Sequence, residues 1–224
     1  MKRCRVVRVD ETVPLDGVVE GTPWEAAEAV EIDEFPWGPS DAERSAVVRS
    51  LYDEDALYLQ YRVEEDRVRA ETSELNGPVW EDSCVELFAT LEPGRRPHYV
   101  NFEVNCVGAF RLGFGPDRDD RELISPELAD SVRVATSVDG SMTGSSGVGR
   151  WWVAAALPFE TLRAFTGVPT SPEEGTVWRG NFHRLGDGGD ALYATWNPVD
   201  APTPDFHRPS QFGELVFGRA PDER

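Results

Sequence analysis

The chain has 224 residues, 40% hydrophobic and 10% aromatic, with 41 acidic side chains against 22 basic ones and a formal charge of −19. That apolar content supports a packed core and excludes a disordered chain, and the length predicts one domain over residues 1–224. An acid excess of this size repels phosphates and anionic lipids, so neither nucleic acid nor a membrane is an expected partner.

The start, MKRCRVVRVDETVP, carries basic residues but no apolar stretch of signal-peptide type, and no run approaches the roughly 20 residues of a membrane span. As written, the chain reads as cytoplasmic. Short apolar and β-branched runs then follow one another, separated by Gly, Pro and Asp. The runs Ala46–Tyr52, Ala56–Val63, Cys84–Leu91, His98–Cys106 and Ala109–Gly115 are predicted strands. So are Ser131–Val138, Arg150–Leu157, Val177–Leu185, Ala191–Trp196 and Phe212–Phe217. Only Pro158–Thr166 reads as a helix, opened by proline and stopped by Gly167. Asp139–Gly149, rich in Gly and Ser, reads as a hairpin loop between strands. Many short strands and one short helix predict an all-β, antiparallel β-sandwich.

Alternation along these strands separates two faces. Tyr99, Asn101, Glu103 and Asn105 oppose Val100, Phe102, Val104 and Cys106. Glu86 and Phe88 oppose Val85 and Leu87, Arg111 opposes Phe110 and Leu112, and Asn181 and His183 oppose Phe182. Amides, carboxylates and guanidinium groups present paired donors and acceptors that suit vicinal hydroxyls, so this face is a candidate polar-ligand surface. The alternative is the ordinary solvated side of a half-buried sheet.

Of the seven tryptophans, Trp24, Trp151 and Trp178 lie in apolar contexts and are expected in the core, while Trp37 sits in a turn, FPWGPS. Trp80 and Trp196 sit where loop meets strand. A loop-borne indole beside a polar sheet offers the flat apolar surface that the C–H face of a sugar needs. Cys4, Cys84 and Cys106 are odd in number and widely spaced, which predicts small core thiols in a reducing compartment. Lys2 is the sole lysine. Acid excess with so little lysine fits a protein kept soluble in concentrated salt, or an ordinary acidic protein from a GC-rich genome.

Several stretches together carry a resemblance: LDGVVEGTPWEAAEAVEIDEF, LYDEDALYLQYRV, VWEDSCVELFATLEP, HYVNFEVNCVGAFR, RWWVAAALPFETL, WRGNFHRLG and FHRPSQFGELVF. In this order the chain resembles the family 9 carbohydrate-binding modules, specifically the stand-alone family 9-like group related to the DOMON-like β-sandwiches. The resemblance spans essentially the whole chain. It implies a jelly-roll-like sandwich that binds a saccharide without chemistry, clamped between two tryptophans matched here by Trp80 and Trp196. Polar partners implied on the same basis are Glu86, Asn101, Glu103, Asn105 and Arg111, with Asn181 and Arg184 near the second tryptophan. No cofactor is required. Structural calcium is implied by the resemblance, with Asp117, Asp119 and Asp120, or Asp187 and Asp190, as acidic candidates. Relatives are often secreted parts of polysaccharide hydrolases, whereas this chain shows no catalytic module.

Three rival functions compete with that reading. Haem ligation would need Met142 with His98, His183 or His207. A glycan-active enzyme would use Glu86 and Glu103 as a carboxylate pair, or His183 and His207 with neighbouring aspartates. A protein-interaction sandwich would show a flat apolar patch in place of a polar concavity. His207, in the loop before the last strand, is expected to pin that loop to the sheet.

Overall fold

The computed structural model describes residues 1–38, 46–65, 67–95, 97–138, 149–187 and 191–220. The strands are β1 Arg3–Arg8, β2 Val30–Glu31, β3 Ala46–Tyr52, β4 Ala56–Glu65, β5 Cys84–Thr90, β6 Tyr99–Asn105 and β7 Phe110–Gly115. They continue as β8 Glu122–Leu123, β9 Arg133–Thr136, β10 Gly149–Pro158, β11 Val177–Asp187, β12 Ala191–Thr195 and β13 Gly213–Gly218. Among the described residues the α-helices are α1 Pro126–Ala129 and α2 Phe159–Thr166. The all-β expectation holds, and each long run predicted as a strand is one.

The strands form one continuous sheet in the order β8-β7-β6-β5-β11-β13-β1-β3-β4-β10-β9, with β12 added to β11 and β2 to β3. Pairing is antiparallel except around β1, which runs parallel to both β13 and β3. The sequence RCRVVR, not among the predicted strands, forms β1 with Arg3 and Arg5 exposed and Cys4, Val6 and Val7 buried. The sheet curls until its halves face one another. Val85, Leu87, Phe102, Val104 and Leu112 of one half pack in one cluster with Val48, Leu59, Tyr61, Trp151 and Val153 of the other. Tyr61 fastens the layers by donating its hydroxyl to the Glu86 carbonyl at 3.0 Å.

The helix α2 begins after Pro158 and ends at Gly167, whose φ of 66° is the left-handed cap that a glycine supplies without strain. The helix α1 was not predicted; it is one turn, capped by Ser125, which accepts from the Leu128 amide. Trp24, Trp151 and Trp178 are buried as expected, and the three cysteines are free and buried. No helix among the described residues is long and apolar enough to cross a membrane.

One departure positions the site. The polar face of β5 and β6 is not open to solvent: every residue of both strands is buried. Phe206 and Phe212, from the chain between β12 and β13, pack with Phe88 and Tyr99 over that face, with Trp37, Leu185 and Tyr193 alongside. Trp37 donates from Nε1 to the Ala201 carbonyl at 2.7 Å and so ties this loop down. The polar face becomes the floor of a cleft.

Candidate functional site

The register builds a polar row across five strands. Thr195 pairs with His183, His183 with Glu86, Glu86 with Glu103 and Glu103 with Arg111. Directly opposed residues project to the same side, so their side chains meet in one line. Above the middle of this row lies a cleft of about 460 Å³ lined by Trp80, Glu86, Phe88, Glu103, Arg118, Asp119, Arg121, Leu185, Tyr193 and residues 204–207.

The two glutamates are 3% and 2% exposed. Burial and the neighbouring charge of Glu103 push the Glu86 carboxyl well above the usual range, which favours its protonated form. Burial also raises Glu103, opposed by the positive charges of Arg121 and Arg111 and by the Asn101 amide, which donates to Oε1 at 2.5 Å. Like charges side by side in a dry site do not both ionise. Arg121 approaches Glu103 Oε1 at 3.7 Å, too far for a good hydrogen bond.

His183 is fully buried, stacked on Phe206 with ring centroids 4.0 Å apart and set edge-on to Phe88. Burial holds it neutral. His207 meets the Tyr99 hydroxyl through Nδ1 at 2.6 Å, and burial, helped by nearby guanidinium charge, lowers its pKa to about 3. Burial raises the Tyr99 pKa, so the phenol keeps its proton, and the imidazole tautomer sets which partner of this bond is the donor.

Most of the buried side-chain atoms without a hydrogen-bond partner among the described residues lie on this face: Glu86 Oε2, Glu103 Oε2, Asn101 Oδ1, Arg111 Nε, Arg121 Nε and both His183 nitrogens. A buried polar atom left unpaired costs about 1–3 kcal/mol. Such a concentration sets this face apart from the rest of the buried surface.

Trp80 stands at the rim, 38% exposed, on the turn Val79–Glu81. Its loop is fixed from both ends. Asn76, the only described non-glycine at positive φ, donates through Nδ2 to the Ile124 carbonyl, and its own carbonyl accepts from Arg111 Nη1 at 2.8 Å. Asp82, buried, accepts from the amides of Glu71 and Thr72 and from Asn105 Nδ2. The Arg111 guanidinium lies 5.1 Å from the centre of the Trp80 ring, a cation–π contact.

Of the residues expected at the site, Trp80, Glu86 and Glu103 line the cleft, Arg111 flanks it, and Asn101 lies beneath, bonded to Glu103. Four others lie outside the cleft lining. Trp196 is 4% exposed and packs on Phe182 with centroids 5.6 Å apart, within the core. Arg184 falls on the inner face, as unbroken pairing with β5 and β12 requires; there it donates to the Glu64 carbonyl and contacts Glu65. Asn181 spends its amide on the Asn197 backbone and the Phe182 amide, and Asn105 holds the Thr72 carbonyl, Asp82 and the Ala109 amide.

The cleft residues not singled out beforehand are Arg118, Arg121, Tyr193 and Phe206; His207, expected as a pin, both holds Tyr99 and lines the wall. The signal for the arginines was present in PDRDDRE, where basic residues interrupt an acidic loop just after β7. For the calcium candidates, the Asp117 carboxylate accepts from the amides of Asp119 and Asp120, while Asp190, the Asp187 side chain and Met142 lie outside the described residues. No group of three metal-binding side chains occurs among the described residues.

Residues 17–217 match the model of carbohydrate-binding family 9. The fold is similar to that of a candidate carbohydrate-binding protein from Bacteroides uniformis, at 29% identity and a TM-score of 0.85, over 96% of this chain and 99% of that one. A family 9 module of Caldicellulosiruptor kristjanssonii, solved with glucose, aligns over 100% of this chain and 99% of its own at 16% identity and a TM-score of 0.61. Its complex with cellotriose aligns over 99% and 96%, with the same identity and score. No curated protein matches the chain.

Proposed function

The chain belongs to carbohydrate-binding family 9, and we propose that it binds a saccharide, without chemistry, in the cleft beneath Trp80. The observation that carries this reading is the row of unpaired buried carboxyl, amide, guanidinium and imidazole atoms under one exposed indole. Sugars satisfy both parts of such a site. Their hydroxyls donate and accept in one plane, and their C–H faces stack on an aromatic ring.

Each group has a distinct task. Trp80 supplies the stacking surface, with Tyr193 and Phe206 on the opposite wall. Neutral Glu86 donates to a hydroxyl oxygen through its acid proton, while Glu103 accepts from a hydroxyl. Arg121 donates from the side, and the His207 ring nitrogen not bonded to Tyr99 meets a hydroxyl there. A single tryptophan thus replaces the two-tryptophan clamp, and aromatic residues of the loop between β12 and β13 take the second position. The relatives solved with glucose and cellotriose make gluco-configured sugars the first probes.

A glycan array at about 0.1 M and about 1 M salt is the test. Retention of a defined set of glycans, lost in Trp80→Ala, is the expected result; an array blank at both salts would remove the reading. One observation favours a second function. Glu86 and Glu103 are opposed in register and both feel Arg121 and Arg118, but Glu103 is also offset by Arg111 and the Asn101 amide while Glu86 bears the charge of Glu103, which is how one carboxyl becomes an acid and the other a base. Release of chromophore from aryl glycosides, abolished in Glu86→Gln, would establish a hydrolase in place of a binding module.

A further inference from the structure

Guanidinium groups gather on one side of the cleft, although Asp119 and Asp205 also line it. Arg111, Arg118 and Arg121 converge on it in a chain whose formal charge is −19. Arg118 is matched by Asp205 at 3.0 Å. Arg111 and Arg121 share one carboxylate between them: Glu103 is opposite Arg111 in the β6–β7 register and 3.7 Å from Arg121. The Arg121 side chain is only 10% exposed, and Arg111 Nε and Arg121 Nε have no partner. The two guanidiniums also sense each other, since Arg121's charge, after burial, lowers the Arg111 pKa. Burial and the charge of Glu103 both disfavour ionisation of Glu86, so Glu103 is the carboxylate that faces the two guanidiniums most directly. Two cations held together, with donors unpaired, form an anion site; a planar guanidinium fork fits a carboxylate with two parallel hydrogen bonds.

We propose that the saccharide bound here is an acidic one, a uronic acid whose carboxylate lies against Arg111 and Arg121 while its ring hydroxyls meet Glu86, Glu103 and Asn101. The inference rests on the saccharide-binding reading and specifies its ligand. A phosphorylated sugar is disfavoured, because a charge near −2 beside Glu103 would be repelled where a single carboxylate is balanced.

The test is calorimetric titration with sugars paired at C6: glucuronate with glucose, galacturonate with galactose, mannuronate with mannose, plus the methyl ester of each acid and glucose 6-phosphate. In at least one pair the acid should bind ten times or more tighter than both its neutral partner and its ester, and the advantage should shrink as salt rises. In Arg121→Gln the acid-to-neutral ratio should fall toward one, with Arg121→Lys between. Neutral sugars binding as well as the acids, glucose 6-phosphate binding tighter than any acid, or a ratio unchanged in Arg121→Gln would each overturn the proposal while leaving saccharide binding in place. Binding by none of the panel would overturn both. Should Arg121→Gln fail to fold, the paired titrations on the unaltered protein decide alone.

Discussion

Trp80 and Trp196 look alike in sequence, each at a junction of loop and strand, yet they make opposite predictions once their surroundings are known. Trp80→Ala removes a ring that is 38% exposed and should leave the melting temperature nearly unchanged. Trp196→Ala empties a core position against Phe182 and Gly213 and should cost about 3–5 kcal/mol in denaturant unfolding. Equal stability of the two variants would contradict that division. His207 makes a further prediction through its protonation. Its folded pKa, about 3, lies below the ordinary 6.5, so its contribution to stability is present above pH 6.5 and is lost as pH falls toward 3. Glu86 acts in the opposite sense, its raised pKa favouring the fold at low pH and losing that contribution as pH rises through its folded value. At pH 7, His207→Gln loses the bond to Tyr99 and should melt below the parent; by pH 4 the gap should narrow, because only the parent keeps an imidazole that resists charging. A gap that stays constant from pH 7 to 4 would refute the assignment.

Among the elements, what was legible and what was not divides along a physical line. Period-2 alternation is a property of one strand, so the floor residues Glu86, Asn101 and Glu103 and the flanking Arg111 could be placed on a common face from the sequence. Alternation also placed Arg184 on the inner face; only its matched position in the family resemblance brought it to the site. What covers that face depends on contacts across the fold, as between Trp37 and Ala201 or Phe206 and His183, and no local pattern announces these. Asn105 has the same alternation as Asn101 but sits at the strand end, where Asp82 claims its amide. That network supports the loop leading to Trp80. Asp82→Ala would leave the Glu71 and Thr72 amides and Asn105 Nδ2 without their acceptor, at a cost of about 1–3 kcal/mol for each one that stays buried. Stability and saccharide affinity should therefore fall together in this variant; an unaltered affinity would show that the loop is held by Asn76 alone.

At the scale of the whole molecule, charge dominates. The ion pairs are mostly superficial, such as Arg3–Glu214 and Arg150–Glu64, and with 41 acidic residues against 22 basic ones many carboxylates have no cation to pair with. Raising salt from about 0.1 M to about 1 M shortens the screening length from roughly 10 Å to roughly 3 Å. The melting temperature should climb over that range, and a flat profile would show that the repulsion is already neutralised locally. The curled sheet carries a cleft where Arg118 and Arg121 gather, with the exposed Trp80 at its rim. Calorimetric titration of the parent and of Trp80→Ala, with cellotriose and with the tightest glycan of the array, tests the central claim most directly. The account predicts at least a tenfold loss of affinity at unchanged melting temperature, and equal affinity in the two proteins would contradict it.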